Sequence, residues 1–223
     1  MMDTTTAKNH SRPAAAAVHT ITRRIVRLMT TSVLMLGLGW SSASAQPPSV
    51  VDVPHNLRVP GGNEAFLTGY ALGTQNYVCL GTSAGVAWKF LGPQATLFLT
   101  SDGYQSQQIT THYLSVNPAE SLARPTWQHS LDTSRFWGRV KESSKNPDYV
   151  APGAIDWLLL ERAGAQFGPT GGSILTQTTF IQRVNTSGGV APTTGCSDIS
   201  HVGTLALVPY STDYVFYRSS RDK

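Results

Sequence analysis

The sequence contains few cysteines and few charged residues, and it has no apolar run of membrane-spanning length. Two of its 223 residues are cysteines, and Asp, Glu, Lys and Arg together account for 13% of the chain, whereas about a quarter is usual. No segment holds the ~20 consecutive apolar residues of a transmembrane helix. The sequence therefore predicts no membrane span in the mature chain, and its length suits one domain with a sizeable core.

Several signatures of cofactor chemistry are also missing. No Gly-x-Gly-x-x-Gly follows a predicted strand and no βαβ pattern is present, which excludes a dinucleotide-binding domain. Neither cysteine has further metal ligands spaced beside it as in a structural zinc site. Closely spaced carboxylate pairs of the glycosidase kind are not indicated. We therefore predict no cofactor, with a divalent metal kept open below.

The positive charge of the chain is concentrated near its start. The formal net charge is +4 and the isoelectric point is about 9.2. The first 45 residues hold five of the 17 basic side chains and one of the 13 acidic ones, so the remainder carries 12 of each. A domain without net positive charge lacks the basic surface that phosphate binding requires. We therefore predict no nucleic-acid partner.

Residues 1–45 have the three-part layout of a secretory signal peptide. A basic segment with Arg23-Arg24 precedes an apolar run at 32–40, and Ala43-Ser44-Ala45 supplies small residues for cleavage. The pattern predicts export, with the mature protein periplasmic or extracellular. Paired arginines in a long basic segment also resemble a twin-arginine signal. Twin-arginine and general secretory export therefore both stay open, as does an uncleaved membrane anchor.

The mature chain divides into an arm and a domain. Residues 46–63 contain four prolines and predict an extended Pro-rich arm. Residues 64–223 predict an all-β domain, because short runs of β-branched and aromatic residues alternate with Gly, Pro and Asn turns. The turn residues at 81–85 predict a hairpin, whereas Gly73 and Gly92-Pro93 predict breaks between separate strands.

The spacing of the predicted strands indicates the fold class. Short strands at this spacing are typical of antiparallel architectures rather than of a parallel α/β sheet. The apolar run at 155–162 fits a strand or a helical turn, and we interpret it as a strand. We therefore predict a single mainly β domain, either an antiparallel β-sandwich or a compact β-barrel.

Cys79 and Cys196 are the only cysteines of the chain. In an exported protein, two lone cysteines are expected to form a disulfide. Such a bond would tie an early strand to the far end of the domain. Two buried free thiols are the alternative.

Seven short segments taken together resemble the DUF3455 family, a domain of unknown function found in secreted bacterial and fungal proteins. These segments follow one another along the mature chain and are Gly73–Cys79, Arg124–Ser130, Trp157–Leu160, Phe180–Thr186, Gly188–Pro192, Gly195-Cys196 and Val208–Tyr210. The chain departs from the family pattern at Pro125 and Asp156. The resemblance implies export and a mostly β fold, and it assigns no catalytic residue.

Two histidines are the candidate catalytic or metal-binding residues. His112 and His129 lie on or beside neighbouring predicted strands, and Asp132 follows His129 closely. Two imidazoles and a carboxylate can bind a divalent metal or transfer protons if the strands bring them together. The spacing is not a local ligand motif, and isolated strand histidines are commonly structural, so both interpretations stay open.

Aromatic residues provide the candidate ligand-binding surface. Trp127, with Gln128 beside it and Tyr113 on the preceding predicted strand, is suited to stacking on a sugar ring or an apolar ligand. The alternative is that the tryptophans fill the core, as large aromatic residues do in β folds. If they line a groove, the predicted partner is a small molecule or a glycan.

These observations favour a non-enzymatic, exported binding or envelope-associated protein. The alternative is a secreted enzyme or metal-binding protein that uses His112 and His129, and a purely structural role is a third interpretation. Binding predicts an aromatic-lined groove without converging titratable groups. Catalysis predicts both histidines and a carboxylate in one cleft.

Overall fold

A computed structural model describes residues 51–101 and 104–221. The predicted signal peptide and the first residues of the predicted arm lie outside this range. The described residues form eight strands, which are β1 (Asn63–Thr82), β2 (Gly85–Ser101), β3 (Tyr104–Asn117), β4 (Leu122–His129), β5 (Arg135–Ser144), β6 (Trp157–Gln166), β7 (Thr178–Gly188) and β8 (Leu205–Ser219). Three short 3-10 helices occur at His55–Leu57, Ile174–Gln177 and Ile199–His201.

The eight strands close into one antiparallel barrel. Each strand pairs with the next along the chain, and β8 pairs with β1 over most of its length. Closure gives every strand of the described residues a paired neighbour on both sides, although β4 and β5 pair over only three residues each. The predicted mainly β fold is confirmed, and of the two architectures that the sequence left open, the compact barrel is the one formed.

β1 and β2 are longer than the sequence predicts. Both predicted breaks, at Gly73 and at Gly92-Pro93, fall inside a continuous strand, so these two expectations are wrong. At Gly73 a β-carbon would collide with the Gln94 carbonyl, because β1 and β2 approach closely there. Glycine therefore permits a tight strand contact at this position instead of ending the strand.

One end of the barrel is filled. At this end, which we call the closed end, β4 leads into β5 and β6 leads into β7. Leu97, Phe136, Ile181 and Phe216 pack together in the interior. Leu175 from the β6–β7 connection joins them and is fully buried. The interior at this end is therefore an ordinary hydrophobic core.

A second apolar cluster lies on the outer face of the barrel. Leu159 and Val184 belong to it, although their strand neighbours face the interior, because successive strand residues point to opposite sides. Leu57, from the segment before β1, is fully buried in this cluster, and its carbonyl accepts a hydrogen bond from Gln182 Nε2 at 2.7 Å. Val53 packs there as well. The described part of the arm thus covers apolar surface on the barrel wall.

The predicted disulfide between Cys79 and Cys196 is present. It links the end of β1 to the β7–β8 connection across 117 residues of sequence, with the two α-carbons 5.5 Å apart. Two backbone hydrogen bonds reinforce the link, from Gly203 N to the Cys79 carbonyl and from Cys79 N to the Thr204 carbonyl. The β7–β8 connection is therefore fixed against the barrel at this point.

The helical segments of the described residues are all short. None of these helices has the length and apolar character needed to span a bilayer.

Candidate functional site

A cavity of about 760 Å³ occupies the other end of the barrel interior. At this end, which we call the open end, β5 leads into β6 and β7 leads into β8. Most of the lining is apolar and comes from strands and connections on several sides, namely Phe90, Pro93, Leu114, Pro125, Val140, Pro147, Val150, Ala151, Pro152, Ala154, Ile155, Leu158, Leu160, Val190 and Ala191. A volume of this size matches the clefts that hold small molecules.

Three aromatic rings in mutual contact form the floor of the cavity. The His112 ring lies parallel to the Trp127 indole, with centroids 4.1 Å apart, and Tyr214 meets both rings edge-on at 5.1 and 5.3 Å. All three residues line the cavity. On the opposite side, Trp127 contacts Phe136 and Phe216 of the filled core. The rings therefore separate the cavity from the closed end.

The hydrogen bonding of His112 fixes its tautomer. Its Nδ1 lies 2.9 Å from the Thr126 carbonyl oxygen, which can only accept a hydrogen bond. Nδ1 must therefore carry the proton, and Nε2 is left as an acceptor. Burial lowers the pKa of His112 to about 3; the hydrogen bond to Thr126 opposes this shift in part, and the nearby Arg183 charge adds a smaller effect in the same direction as burial. The imidazole is thus neutral near pH 7.

Two tyrosines of β8 lie beside this floor. The hydroxyl oxygens of Tyr210 and Tyr214 are 3.4 Å apart, and burial raises the pKa of both phenols. In the β1–β8 pairing, Tyr210 is opposite Gly73 and Tyr214 is opposite Gly69. A β-carbon at Gly69 would collide with Ile109 and approach Leu97, so this glycine permits close packing inside the barrel. Both hydroxyls remain protonated and uncharged at neutral pH.

Arg183 of β7 brings a positive charge to the cavity wall. It has the same strand phase as Ile181, which faces the interior. Its Nε and Nη2 both donate to the Asp156 carbonyl oxygen, at 3.1 and 2.8 Å. The arginine is only partly buried and lines the cavity. These contacts with the Asp156 backbone and a further hydrogen bond to the Tyr214 hydroxyl hold the guanidinium in place.

The rim of the cavity consists of the β5–β6 and β7–β8 connections. An isolated bridge between Ala154 and Gly189 joins the two connections. The Tyr77 hydroxyl donates to the Gly189 carbonyl at 2.7 Å, which anchors the bridge to β1. The Lys145 ammonium lies 4.0 Å from the Asp156 carboxylate at the same rim. These contacts hold the entrance in one arrangement.

The sequence-predicted ligand-binding residues are divided between two surfaces. Trp127 is fully buried and forms part of the cavity floor. Gln128 instead accepts hydrogen bonds on its Oε1 from the Tyr113 hydroxyl at 2.8 Å and from Arg135 Nε at 3.0 Å. Neither Tyr113 nor Gln128 lines the cavity, and Tyr113 borders a separate groove beside β1 and β2. Ligand binding by these three residues remains a prediction.

His129 and Asp132 lie at the closed end, apart from the cavity lining. The His129 Nδ1 is 3.1 Å from the Asp132 carboxylate. That carboxylate also accepts hydrogen bonds from Ser134 N at 3.0 Å, from Ser134 Oγ at 2.7 Å and from Ile174 N at 2.8 Å. Burial opposes ionisation of Asp132, but these hydrogen bonds and His129 together lower its pKa. Asp132 thus ties the β4–β5 connection to the β6–β7 connection.

The predicted catalytic trio is therefore divided between two places in the barrel. His112 belongs to the cavity floor, whereas His129 and Asp132 belong to the closed end. Across residues 51–101 and 104–221, no group of three or more His, Cys, Asp or Glu side chains is arranged to hold a metal ion. Catalytic or metal-binding use of these residues stays a prediction of the sequence.

The structure shows what a further sequence pattern, at residues 81–85, forms. Residues 81–85, Gly-Thr-Ser-Ala-Gly, have the spacing of the nucleophile elbow of serine hydrolases. That elbow joins a strand to a helix, whereas here the segment is the two-residue hairpin between β1 and β2, as the sequence predicted. The pattern is therefore a turn signal, and Ser83 lies away from the cavity lining.

Arg183 and Tyr214 are functional candidates that the sequence analysis did not identify. The available signal was strand phase, because Arg183 is two residues from Ile181 and Tyr214 is four residues from Tyr210. That signal places side chains on a common face, but it does not tell whether the face meets a filled core or a cavity.

Comparison with known proteins gives one match. The family model described as "Protein of unknown function (DUF3455)" matches residues 60–218, which include all eight strands except the last residue of β8. No curated protein and no solved structure matches the chain.

Proposed function

Because the chain belongs to the DUF3455 family of proteins of unknown function, we propose its function from the cavity itself. The protein binds a small, mainly apolar molecule inside the open end of the barrel, and it acts as a binding protein rather than as an enzyme. The observation that carries this proposal is the cavity of about 760 Å³ with its predominantly apolar wall and aromatic floor.

The size and lining of the cavity favour an enclosed ligand over a surface contact. Leu158, Leu160 and Ile155 line it together with the Trp127 floor. Apolar surface removed from water contributes roughly 25 cal/mol per Å². An apolar ligand that fills the space gains this contribution on most of its surface, whereas a glycan would leave many hydroxyl groups without partners.

The polar residues of the cavity support binding over catalysis. His112 is neutral and has a pKa of about 3, so it is a weak general base near pH 7. Tyr214 keeps its proton because burial raises its pKa. The described lining includes no serine, threonine or cysteine that a base could activate as a nucleophile.

We further propose that the binding protein acts outside the cytoplasm, in the periplasm or the extracellular space. The Cys79–Cys196 disulfide supports this location, because disulfides persist mainly in oxidising compartments. The leader pattern of residues 1–45 gives independent support. Mass spectrometry of the exported protein is expected to find an N-terminus at Gln46, and a chain that keeps residues 1–45 in the cytosolic fraction would contradict export.

The binding proposal can be tested with a neutral apolar fluorophore, N-phenyl-1-naphthylamine. We expect saturable binding of one molecule per barrel. Ala191 lines the cavity, so Ala191→Trp should block it and weaken binding by about tenfold or more. Ala84 is exposed in the β1–β2 hairpin, so Ala84→Trp is the matched control and should bind as the wild type does. Non-saturable binding, or equal binding by both variants, would contradict the proposal.

A further inference from the structure

The guanidinium of Arg183 has no anionic partner at short range. Its Nε and Nη2 both donate to the backbone oxygen of Asp156, and the guanidinium also donates to the Tyr214 hydroxyl. The ion pairs among residues 51–101 and 104–221 do not include Arg183. A charged group in a mainly apolar surrounding is costly unless it is paired. The arginine therefore carries a charge that the barrel itself leaves unmatched.

The other charged residues of the lining do not remove this imbalance. Lys145 and Asp156 face each other at the rim, with the ammonium 4.0 Å from the carboxylate. The Lys145 side chain is 83% exposed, so this pair sits in solvent at the entrance. Because the charges of Lys145 and Asp156 cancel, the net positive charge of the cavity lining comes from Arg183.

The free donors of Arg183 have a defined geometry. A guanidinium has five N–H groups in one plane, and the Nε and Nη2 side is directed at the Asp156 carbonyl. A further N–H group donates to the Tyr214 hydroxyl, so two of the five N–H groups have no partner among these contacts. A guanidinium can pair with the oxygens of a carboxylate through such N–H groups. The Asp156 and Tyr214 contacts thus hold the guanidinium in place and leave part of it to bind a carboxylate.

Two further neighbours of Arg183, on the cavity floor, are polar but uncharged. His112 and Tyr214 both lie near enough for the arginine charge to affect their ionisation. His112 offers its Nε2 lone pair and Tyr214 a hydroxyl. The rest of the wall is apolar, so the charged group lies at one place in a cavity that otherwise suits hydrocarbon. This arrangement complements a molecule with one anionic end and an apolar body.

We propose that the ligand is an amphipathic monocarboxylate, with its carboxylate paired to Arg183 and its apolar part enclosed by the cavity. This inference rests on the proposed binding function and adds the chemical class of the ligand. A fatty acid and an aromatic acid both belong to this class, because both present the same group to the guanidinium.

The test compares ligands that differ only in their polar end. Decanoate, 1-decanol and decylammonium are titrated at pH 8 against the N-phenyl-1-naphthylamine complex of the mature protein. We expect decanoate to displace the fluorophore at roughly 10- to 100-fold lower concentration than 1-decanol, which corresponds to a charged hydrogen bond, and decylammonium to be the weakest. The pair 2-naphthoate and 2-naphthalenemethanol repeats the comparison for an aromatic acid. A preference for the acid in either pair supports the inference.

Two variants locate the charge responsible. Arg183→Gln should bring decanoate to the affinity of 1-decanol while changing 1-decanol less than about threefold. Lys89→Gln removes an exposed cation of β2 that does not line the cavity, and it is the control that should keep the preference for the acid. If Arg183→Gln does not fold, the comparison of the three headgroups on the wild type still shows whether the cavity prefers a carboxylate.

The outcomes separate this inference from the proposed function. If the fluorophore does not bind, the binding function itself fails, and the inference fails with it. If the fluorophore binds but acid and alcohol displace it equally in both pairs, only the carboxylate assignment is overturned. A preference for the acid that persists undiminished in a folded Arg183→Gln variant would also overturn it.

Discussion

The ring of His112 lies flat on the indole of Trp127, with centroids 4.1 Å apart and planes 12° from parallel. The imidazole is therefore covered by an aromatic face on one side, and Tyr214 closes off another. A protonated ring would lose most of its hydration in this place, which is why burial is the main cause of its lowered pKa. The stack makes His112 a neutral part of the cavity floor.

Because His112 is buried, we predict that the folded protein loses stability in mild acid. The unfolded chain binds a proton on His112 near pH 6.5, whereas the folded protein does so only near pH 3. The contribution of neutral His112 to the free energy of unfolding is therefore fully present above pH 6.5. It falls as the pH drops below that value, by about 1.4 kcal/mol per pH unit. Between pH 6.5 and 4.5 we expect the free energy of unfolding to fall by roughly 2–3 kcal/mol in urea titrations.

His112→Gln is the test variant for this prediction, since an amide can still donate to the Thr126 carbonyl. Carboxylates with lowered pKa, such as Asp132, lose their stabilising contribution only at lower pH. The slope between pH 6.5 and 4.5 should therefore be smaller in the variant than in the wild type. Equal slopes would show that His112 is not the group responsible.

The disulfide predicts a large response to reduction. Cys79 and Cys196 close a loop of more than a hundred residues, for which loop entropy gives roughly 4–5 kcal/mol of stabilisation. We expect the Cys79→Ala, Cys196→Ala double variant to lose about this much in urea unfolding. Dithiothreitol should destabilise the wild type to a similar degree and leave the double variant unchanged. A double variant as stable as the oxidised wild type would contradict this expectation.

We expect the barrel to lose stability when a buried side chain of the segment before β1 is truncated. Leu57 is fully buried in the outer cluster, so Leu57→Ala should leave a cavity and cost about 2–5 kcal/mol. Leu131 is 74% exposed, and Leu131→Ala is the matched control, with an expected change within about 0.5 kcal/mol. Thermal and urea unfolding measure both. Similar values for the two variants would mean that the arm does not contribute to the stability of the barrel.

Asp132 predicts a structural effect at the closed end. Its carboxylate accepts hydrogen bonds from Ser134 and Ile174, so Asp132→Asn replaces one acceptor oxygen by a donor group. We expect the free energy of unfolding to fall by about 1–3 kcal/mol. Asp148→Asn, at an exposed position, should change it by less than about 0.5 kcal/mol. If Asp132→Asn is as stable as the wild type, the two connections are held by other contacts.

Local patterns predicted strands well but placed their ends poorly. The run at 155–162, which fitted a strand or a helical turn, lies largely in β6, so the strand interpretation is confirmed. The expected breaks at Gly73 and Gly92-Pro93 are wrong, because pairing with a neighbouring strand continues through both. Glycine and proline lower the propensity for a strand locally, but partners on either side can outweigh that preference.

The sequence likewise identified some residues of the cavity and missed others. Trp127 was identified from its neighbours and does form part of the cavity floor. Arg183 was missed, although it carries the charge of the cavity, because a single arginine in a strand is usually on the solvent side. Tyr113 and Gln128 each follow a cavity residue directly in sequence, so their side chains lie on the opposite face of the sheet. They contact each other there, outside the cavity. Register decides the face of every side chain, and a shift of one residue reverses it.

The sequence alone predicted that this chain forms antiparallel strands and that Cys79 and Cys196 form a disulfide, with two free thiols as the alternative. Alternating side chains and turn residues act over a few positions, and two cysteines allow only one intramolecular bond. Only the tertiary structure decided between a sandwich and a barrel, because closure depends on pairing β1 with β8 from opposite ends of the domain. It also decided that one end of the barrel is filled while the other holds a cavity. That difference arises from which side chains meet in the interior, and no local pattern encodes it.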